Sequence, residues 1–495
     1  MATETERAAS APEEYDLIII GAGSGNTIPS PELADRSIAI VDDGERFGGT
    51  CLNVGCIPTK MYARPADLAH ELRAGDRLGM RADGLALDWA AVRERTYGRI
   101  DPISDGGEEY RAAGEPNTTL VRETVRFTGR EVDGRHELVS ASGRVLRGRD
   151  VVIAAGSRPR ELDAVPLGGR VVTNAEALRL ESLPERVIVI GGGAVASEFA
   201  SIFSGFGAEV VQLNRSMPLR SVDPDVSATF CRVAAWDIRC GVEVVASTAV
   251  DDGVRLELSD GTALDAGLVL VGVGRVPNSD RLDAAAAGID LHDDGRIAVD
   301  AHQRVLRDGA PVAGLWALGD VSSEHQLKHV ANEEARIVAA NLVAAATGAP
   351  LRRNELGPVP TAVFTSPEVA AFGDSLDAAR ERGIDAFAVR HDYAWTAWGW
   401  ALADETSFCK LVVERGSGRL VGAQIIGPDA AILIQPLVQA ASLGHPVRGL
   451  ARAQYWPHPA ATEVVENALL KAEEELDREP ADPADPARPA EETRD

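Results

Sequence analysis

The sequence predicts an α/β protein organised around two copies of one unit: a buried parallel strand, a glycine-rich turn, then a helix and a second strand. Three observations carry that expectation. The apolar run Tyr15-Asp16-Leu17-Ile18-Ile19-Ile20 ends at Gly21-Ala22-Gly23-Ser24-Gly25-Asn26, and the run Val187-Ile188-Val189-Ile190 ends at Gly191-Gly192-Gly193-Ala194-Val195-Ala196. Runs without polar alternation suit strands buried on both faces of a sheet. The chain has 495 residues, 45% of them hydrophobic, enough for three or more domains at roughly 150 residues each.

In the first unit, a strand from Ser37 to Val41 ends at Asp42. An acid about twenty positions after the glycines is where a dinucleotide-binding fold holds a ribose, with Gly21, Gly23, Ser24 and Gly25 forming the phosphate cradle. Asn26 stands at the third glycine position, and Pro29 and Pro31 interrupt the helix that should come next. Proline is tolerated only in a first helical turn, so this helix is expected to be short or to start late.

Next comes Gly48-Gly49-Thr50-Cys51-Leu52-Asn53-Val54-Gly55-Cys56-Ile57-Pro58-Thr59-Lys60. Cysteines five apart on one helical turn reach disulfide range only with local adjustment, and such a strained pair opens readily. In a chain without a secretion signal a disulfide is more often catalytic than structural. A buried thiol pair and a metal site are the alternatives, although metal ligation calls for a further Cys or His cluster. Cys231, Cys240 and Cys409 are widely spaced and read as ordinary buried thiols.

The second unit continues through a small-residue helix to a strand from Glu209 to Leu213, then Asn214-Arg215, with Arg220 close behind. An NAD-selective fold wants an acid there, whereas arginine accommodates a 2′-phosphate, so NADPH is favoured. Two nucleotide folds imply two nucleotides, a flavin and a nicotinamide.

Composition excludes other classes. A formal charge of −26 repels phosphate, which argues against a nucleic-acid partner. No apolar run reaches the ~20 residues that span a bilayer, and the acidic N-terminus lacks a signal-peptide pattern. A soluble cytoplasmic protein is expected. Only four of the 50 basic residues are lysines: Lys60, Lys328, Lys410 and Lys471. That bias suggests a GC-rich genome and draws attention to Lys60 within the thiol motif. After Leu470 the chain turns into Glu, Asp, Pro and Ala repeats, which cannot bury enough apolar surface to order themselves.

The run from Gly48 to Lys60 resembles the active-site motif of the FAD-dependent pyridine nucleotide–disulfide oxidoreductases, which include glutathione reductase and dihydrolipoamide dehydrogenase. Further landmarks extend the resemblance. Val151 to Ser157, with Ala155 and Gly156, resembles the close of the first FAD segment. Gly274-Arg275-Val276-Pro277-Asn278 resembles the exit from the NADPH domain. Trp316-Ala317-Leu318-Gly319-Asp320 resembles the second FAD segment, whose aspartate holds the ribityl chain, and Thr361 to Pro367 the opening of the dimerisation domain.

The resemblance implies two Rossmann-like dinucleotide-binding domains and an α+β C-terminal dimerisation domain. The expected boundaries are a disordered 1–14, FAD-binding 15–158, NADPH-binding 159–276, FAD-binding and central 277–349, dimerisation 350–470 and a disordered tail 471–495. It implies that Gly49, Thr50 and Lys60 lie beside the flavin, with Gly191, Gly193, Ala196 and Gly274 around NADPH. Glu198 is implied to pair with Lys60 near flavin N5. Cys56 would face the flavin and Cys51 would attack the substrate.

His458-Pro459, with Glu463 four residues beyond the proline, matches the family pattern H-P-x-x-x-E. A histidine titrates near neutral pH, and a neighbouring carboxylate orients it. In relatives this histidine reaches the disulfide of the other subunit, which implies a homodimer with a shared active site.

Within the family, five stretches are similar to the mycothione reductases of actinobacteria: the Gly-Ser-Gly-Asn turn, Gly98 to Ile103, Leu327 to Arg336, Gly399-Trp400-Ala401 and Gln454 to Pro459. Mycothione is the substrate this implies. Glutathione reductase holds its charged substrate with arginines after the first glycine turn, and Thr27 to Asp35 contains none. The alternatives are dihydrolipoamide dehydrogenase, which Arg215 and Arg220 disfavour, and a reductase of another small disulfide. A non-catalytic flavoprotein scaffold is opposed by the intact Cys51, Cys56, Lys60, His458 and Glu463.

Overall fold

A computed structural model describes residues 11–478. They form two compact units. One takes in 82–219 and 235–356 together with the chain up to 73, and the other takes in 74–81, 220–234 and the chain from 357 onward.

The larger unit holds both strand–turn units. In its first sheet, Glu13–Ile20 lies between Val145–Ile153 and Ile38–Val41, parallel to both. Thr118–Val121 pairs parallel on the far side of Ile38–Val41, and Ala310–Ala317 on the far side of Val145–Ile153. Leu17, Ile18 and Ile19 are fully buried, each contributing about 1.5–3 kcal/mol over an exposed side chain. The second sheet is wholly parallel, in the order Asp237–Cys240, Glu209–Asn214, Arg186–Ile190, Leu268–Val271, Val171–Val172. The α/β architecture with two dinucleotide-type sheets is therefore present.

The two glycine turns lead into different structures. After the second, a 12-residue α-helix spans Ala194–Gly205. After the first there is no α-helix at all, but two short 3₁₀ turns, Gly25–Thr27 and Pro31–Leu33. The expected short or late helix is thus replaced outright. Pro31 opens the second turn, where its missing N–H costs nothing, and the chain reaches Ile38 before another turn can form.

The smaller unit is α+β. Its antiparallel sheet runs Thr361–Val363, Val369–Gly373, Leu420–Ile426, Phe408–Glu414, Ala386–Asp392, and the helix Glu463–Asp477 packs on the last two strands. Val464, Val465, Ala468, Leu469 and Ala472 bury one face of that helix.

Two expected ends shift. The first strand starts at Glu13, so Glu13 and Glu14 pair with Leu146 and Arg147 and do not belong to a disordered terminus. The last helix runs past 470 to Asp477, because its acidic face meets arginines: Arg448 on Asp477, Arg452 on Glu473, and Arg415 on Glu475 at 3.2 Å. The rest of the expected disorder, at 1–10 and 479–495, lies outside the described residues. Among the described residues no helix is long and apolar enough to cross a membrane.

Candidate active site

Cys51 and Cys56 do not share one helical turn. Cys51 lies in the helix Gly49–Asn53 and Cys56 opens the helix Cys56–Arg73. Val54 leaves helical geometry at φ −143°, ψ 14°, and a Cβ on Gly55 would stand 2.9 Å from the Thr50 carbonyl oxygen. The break supplies the adjustment that the five-residue spacing requires, and Asn174 Nδ2 fastens it by donating to the Val54 carbonyl at 2.7 Å.

Both cysteines are free thiols, Cys51 half-buried and Cys56 exposed. They are hydrogen-bonded and polarised in opposite senses. The bond donated by Cys51 lowers Cys56 to about 6, with the Lys60 charge assisting. The same bond, together with burial, pushes Cys51 up. At neutral pH the charge of the pair therefore rests on Cys56, as a thiolate beside a cation. Among the described residues no group of three His, Cys, Asp or Glu could hold a metal ion.

Lys60 is one helical turn beyond Cys56, and its Nζ donates to both Oε1 and Oε2 of Glu198 at 2.7 Å. Packing between the Cys56–Arg73 and Ala194–Gly205 helices brings the two together across 138 residues of sequence. A Cβ on Gly205 would lie 2.5 Å from Ala66 Cβ, so glycine there permits the approach. Tyr62, Trp89, Phe203 and Phe206 seal one end of the contact, with the Tyr62 and Trp89 rings 4.6 Å apart. Glu198 is buried, and removing its partner would leave an uncompensated charge.

The first glycine turn is closed behind and open in front. Gly21 has φ +108°, and a Cβ on it would stand 2.3 Å from the Ala154 carbonyl oxygen, whereas nothing lies within 4 Å of a Cβ on Gly23. Ser24 Oγ donates to Asn332 Oδ1 at 3.2 Å and accepts from Lys328 Nζ at 2.8 Å. Gly25 packs against Ala154 and Ile19. Asp42 sits at the end of the second strand, buried, with Oδ2 on the Ala22 amide at 2.8 Å and Oδ1 on Arg122 at 2.8 Å and the Gly44 amide at 2.9 Å.

Ala155 and Gly156 leave the neighbouring strand, and their carbonyls accept from Asn278 Nδ2 at 2.8 Å and its amide at 3.0 Å. Gly319 and Asp320 lie in the 3₁₀ turn Gly319–Val321. The Gly319 amide donates to the buried Glu334 carboxylate at 2.7 Å, and Asp320 Oδ2 accepts from Ser157 Oγ at 2.5 Å. Open amides on a closed turn, an aspartate at a neighbouring strand end and an exposed thiol with a lysine behind it fit a flavin dinucleotide.

The second turn repeats the pattern. Gly191 has φ +129°, a Cβ on it would meet the Gly272 carbonyl oxygen at 2.3 Å, and Gly193 faces open space. Gly193 caps the Ala194–Gly205 helix, on which Ala196 is buried against Gly272. Gly274 has φ +113°, and its carbonyl accepts from the Arg160 amide at 2.9 Å. Arg215 and Arg220 are exposed, in the segment after the strand Glu209–Asn214. A dinucleotide fits here as well.

In the smaller unit, His458 Nδ1 is hydrogen-bonded to Glu463 Oε1. The histidine side chain is 70% exposed and the glutamate 10%, so the carboxylate is fixed and the ring presents its other edge to solvent. Assigning Nδ1 as donor leaves Nε2 to take and give a proton. Glu463 begins the terminal helix, where a negative charge is favoured by the helix dipole.

Sequence reasoning missed Lys328 as a site residue. The scarcity of lysine, which drew attention to Lys60, applies equally to it. Arg122 on Asp42, and Arg275 with Ser157 beside Asp320, were missed as well; no local pattern announces them.

Known proteins share this arrangement. The family described as "Pyridine nucleotide-disulphide oxidoreductase" matches residues 15–335, and its dimerisation domain matches 359–469. A mycothione reductase of Mycobacterium tuberculosis (strain CDC 1551 / Oshkosh) is 44% identical over 463 residues, covering 92% of this chain and 99% of the relative. A dihydrolipoyl dehydrogenase of Chlamydia muridarum is 28% identical over 438 residues, covering 86% and 90%. The HOCl-induced flavoprotein disulfide reductase RclA from Escherichia coli shares the fold, with TM-score 0.78 at 24% identity over 92% of this chain and 99% of that one. The chain therefore belongs to the pyridine nucleotide-disulphide oxidoreductases, and is a dimer-forming flavoprotein enzyme that uses FAD and NAD(P)H to reduce a disulfide.

Proposed function

We propose that the chain reduces mycothione, the disulfide of mycothiol, with NADPH, in the cytoplasm. The observation that carries this reading is the 44% identity to a mycothione reductase over 99% of that relative's length. The stretch Thr27 to Asp35 supports it, since no basic residue there could pair with the carboxylates of glutathione disulfide. Bound FAD supplies the hydride relay from NADPH to the cysteine pair, with Gly21, Gly23, Ser24, Gly25, Asp42 and Asp320 holding the flavin nucleotide. Gly191, Gly193, Ala196 and Gly274 cradle NADPH, and Arg215 and Arg220 take its 2′-phosphate.

In the reduced pair Cys56 keeps the charge beside Lys60, and Cys51 attacks the substrate. His458 takes the Cys51 proton as that sulfur attacks, the Cys51–substrate bond forms, the substrate S–S bond breaks, and the first mycothiol leaves with the proton returned by His458. Cys56, already a thiolate, then attacks Cys51, the Cys51–substrate bond breaks, the second mycothiol departs with the electron pair and takes a proton from water, and the Cys51–Cys56 disulfide closes. Glu463 holds the His458 ring for these transfers. His458 acts on the cysteines of the partner subunit, so one active site draws on both chains.

Two measurements test this reading. Values of kcat/KM for mycothione, glutathione disulfide and lipoamide on one preparation should favour mycothione by orders of magnitude. Equal or better efficiency with either competitor contradicts the substrate. His458→Gln should slow disulfide turnover by about 10²–10⁴-fold, the usual contribution of general acid–base catalysis, while leaving reduction by NADPH intact. Mixed dimers of His458→Gln and Cys51→Ser chains should recover activity above both parents; no recovery contradicts the shared site.

A further inference from the structure

After the strand Glu209–Asn214 the chain makes an exposed finger, Arg215-Ser216-Met217, between buried ends: Asn214 before it, Pro218 and Leu219 after it. Both ends meet one residue, Gly192, in the middle of the second glycine turn. The Leu219 amide donates to the Gly192 carbonyl at 2.7 Å. A Cβ on Gly192 would stand 2.7 Å from Asn214 Oδ1 and 3.1 Å from Pro218 Cα. Asn214 Oδ1 finds no donor, so it meets Gly192 by packing and not by a hydrogen bond. Leu219 has φ +53°, a backbone conformation that a bulky apolar residue keeps only where its surroundings impose it.

The first turn lacks this interlock. Gly21 donates to the Val41 carbonyl at 2.7 Å, as Gly191 does to the Leu213 carbonyl at 2.9 Å, so Ala22 corresponds to Gly192 and Asp42 to Asn214. Ala22 carries a buried methyl, and its amide donates to Asp42 Oδ2. A side chain therefore fits at this point of the turn unless a returning loop takes the space. Gly192 is bare because the finger packs there.

We propose that Gly192 and Leu219 are positioning residues for cofactor choice, locking the finger to the glycine turn and so holding Arg215 in register with the pyrophosphate cradle. The proposal rests on the reading of Arg215 as a contact of the NADPH 2′-phosphate. One rigid piece then carries both anion contacts, the turn for the pyrophosphate and the finger for the 2′-phosphate. NADH lacks the second anion and uses only the turn. Loosening the finger therefore weakens NADPH and spares NADH. Neither Gly192 nor Leu219 acts on the 2′-phosphate itself; both act through Arg215.

The test is steady-state kinetics of the holoenzyme with NADPH and with NADH, for wild type, Gly192→Ala, Arg215→Ala and the double variant. In Gly192→Ala the added methyl displaces the finger, and the backbone there is not in the left-handed region that excludes alanine. Its kcat/KM for NADPH should fall at least about tenfold, the scale of one charge-assisted contact, while the NADH value stays within about twofold. The loss should lie in KM, with kcat kept. Arg215→Ala should show the same pattern, and the double variant no further loss, because both changes remove one contact. Leu219→Gly, which keeps the backbone conformation and frees the far end of the finger, should act in the same direction. Leu219→Met should behave as wild type. Equal losses with NADPH and NADH in Gly192→Ala, or additive losses in the double variant, overturn the proposal. An unchanged cofactor preference in Arg215→Ala sinks the reading of that arginine and the proposal with it. A changed preference there, beside an unchanged one in Gly192→Ala and Leu219→Gly, sinks the proposal alone.

Discussion

The two glycine turns are alike where they meet the sheet and unlike beyond it. Gly21 and Gly191 both adopt positive φ, and a Cβ on either would stand 2.3 Å from a carbonyl oxygen just past the neighbouring strand, Ala154 or Gly272. After the second turn the Ala194–Gly205 helix continues, carrying Glu198 to Lys60. After the first turn two 3₁₀ turns take its place, and a cavity of about 630 Å³ opens between Thr27, Ile28 and Ser30 and the residues Asn332, Arg336 and Val343. Strand spacing therefore fixes the turn, while the helix is specified separately. It is present where a side chain must be delivered to the thiols and absent where only backbone amides are needed.

The largest expected effects break that likeness. Gly21→Ala should yield protein without flavin, because both the backbone conformation and the Ala154 carbonyl oppose the added methyl. Gly191→Ala should keep its flavin and remain reducible by dithionite, yet lose at least about 100-fold in kcat/KM for NADPH, the upper end of the cost of a strained backbone. Flavin loss from Gly191→Ala as well would mean that the two turns are not independent.

A smaller effect sharpens the contrast between the two bound nucleotides. Arg215→Ala/Arg220→Ala should lose its preference for NADPH over NADH, since each charge-assisted contact is worth roughly 1.5–3 kcal/mol. Flavin content should not change. A wild-type enzyme that already prefers NADH contradicts the assignment.

Much of the fold and site was legible in the sequence, because strand, turn and thiol motif are local patterns. Ile18 to Gly21 and Ile188 to Gly191 read directly as strand and turn, and Lys60 stood out by its rarity. The features that stayed hidden depend on distant partners. The break at Val54–Gly55 is a tertiary adjustment, held by Asn174 from 120 residues away. Prolines 29 and 31 signalled trouble for a helix without saying that none would form. The segment Lys471 to Asp477 has the composition of a tail, but Ala472 is fully buried and its acids meet Arg415, Arg448 and Arg452. Composition cannot announce such pairings.

The central claim is that Cys51 and Cys56 divide the chemistry, one thiolate facing the flavin and one thiol facing the substrate. The direct measurement is the long-wavelength absorbance of a thiolate beside the flavin, recorded for wild type, Cys51→Ser and Cys56→Ser as pH is varied. Cys56 is held at about 6 in the reduced pair by the Cys51 hydrogen bond and by Lys60. The wild-type band should therefore be full above that value and fade as pH falls through it. In Cys51→Ser the band should persist, and in Cys56→Ser it should be absent at every pH. A band that survives Cys56→Ser and vanishes in Cys51→Ser would contradict the assignment.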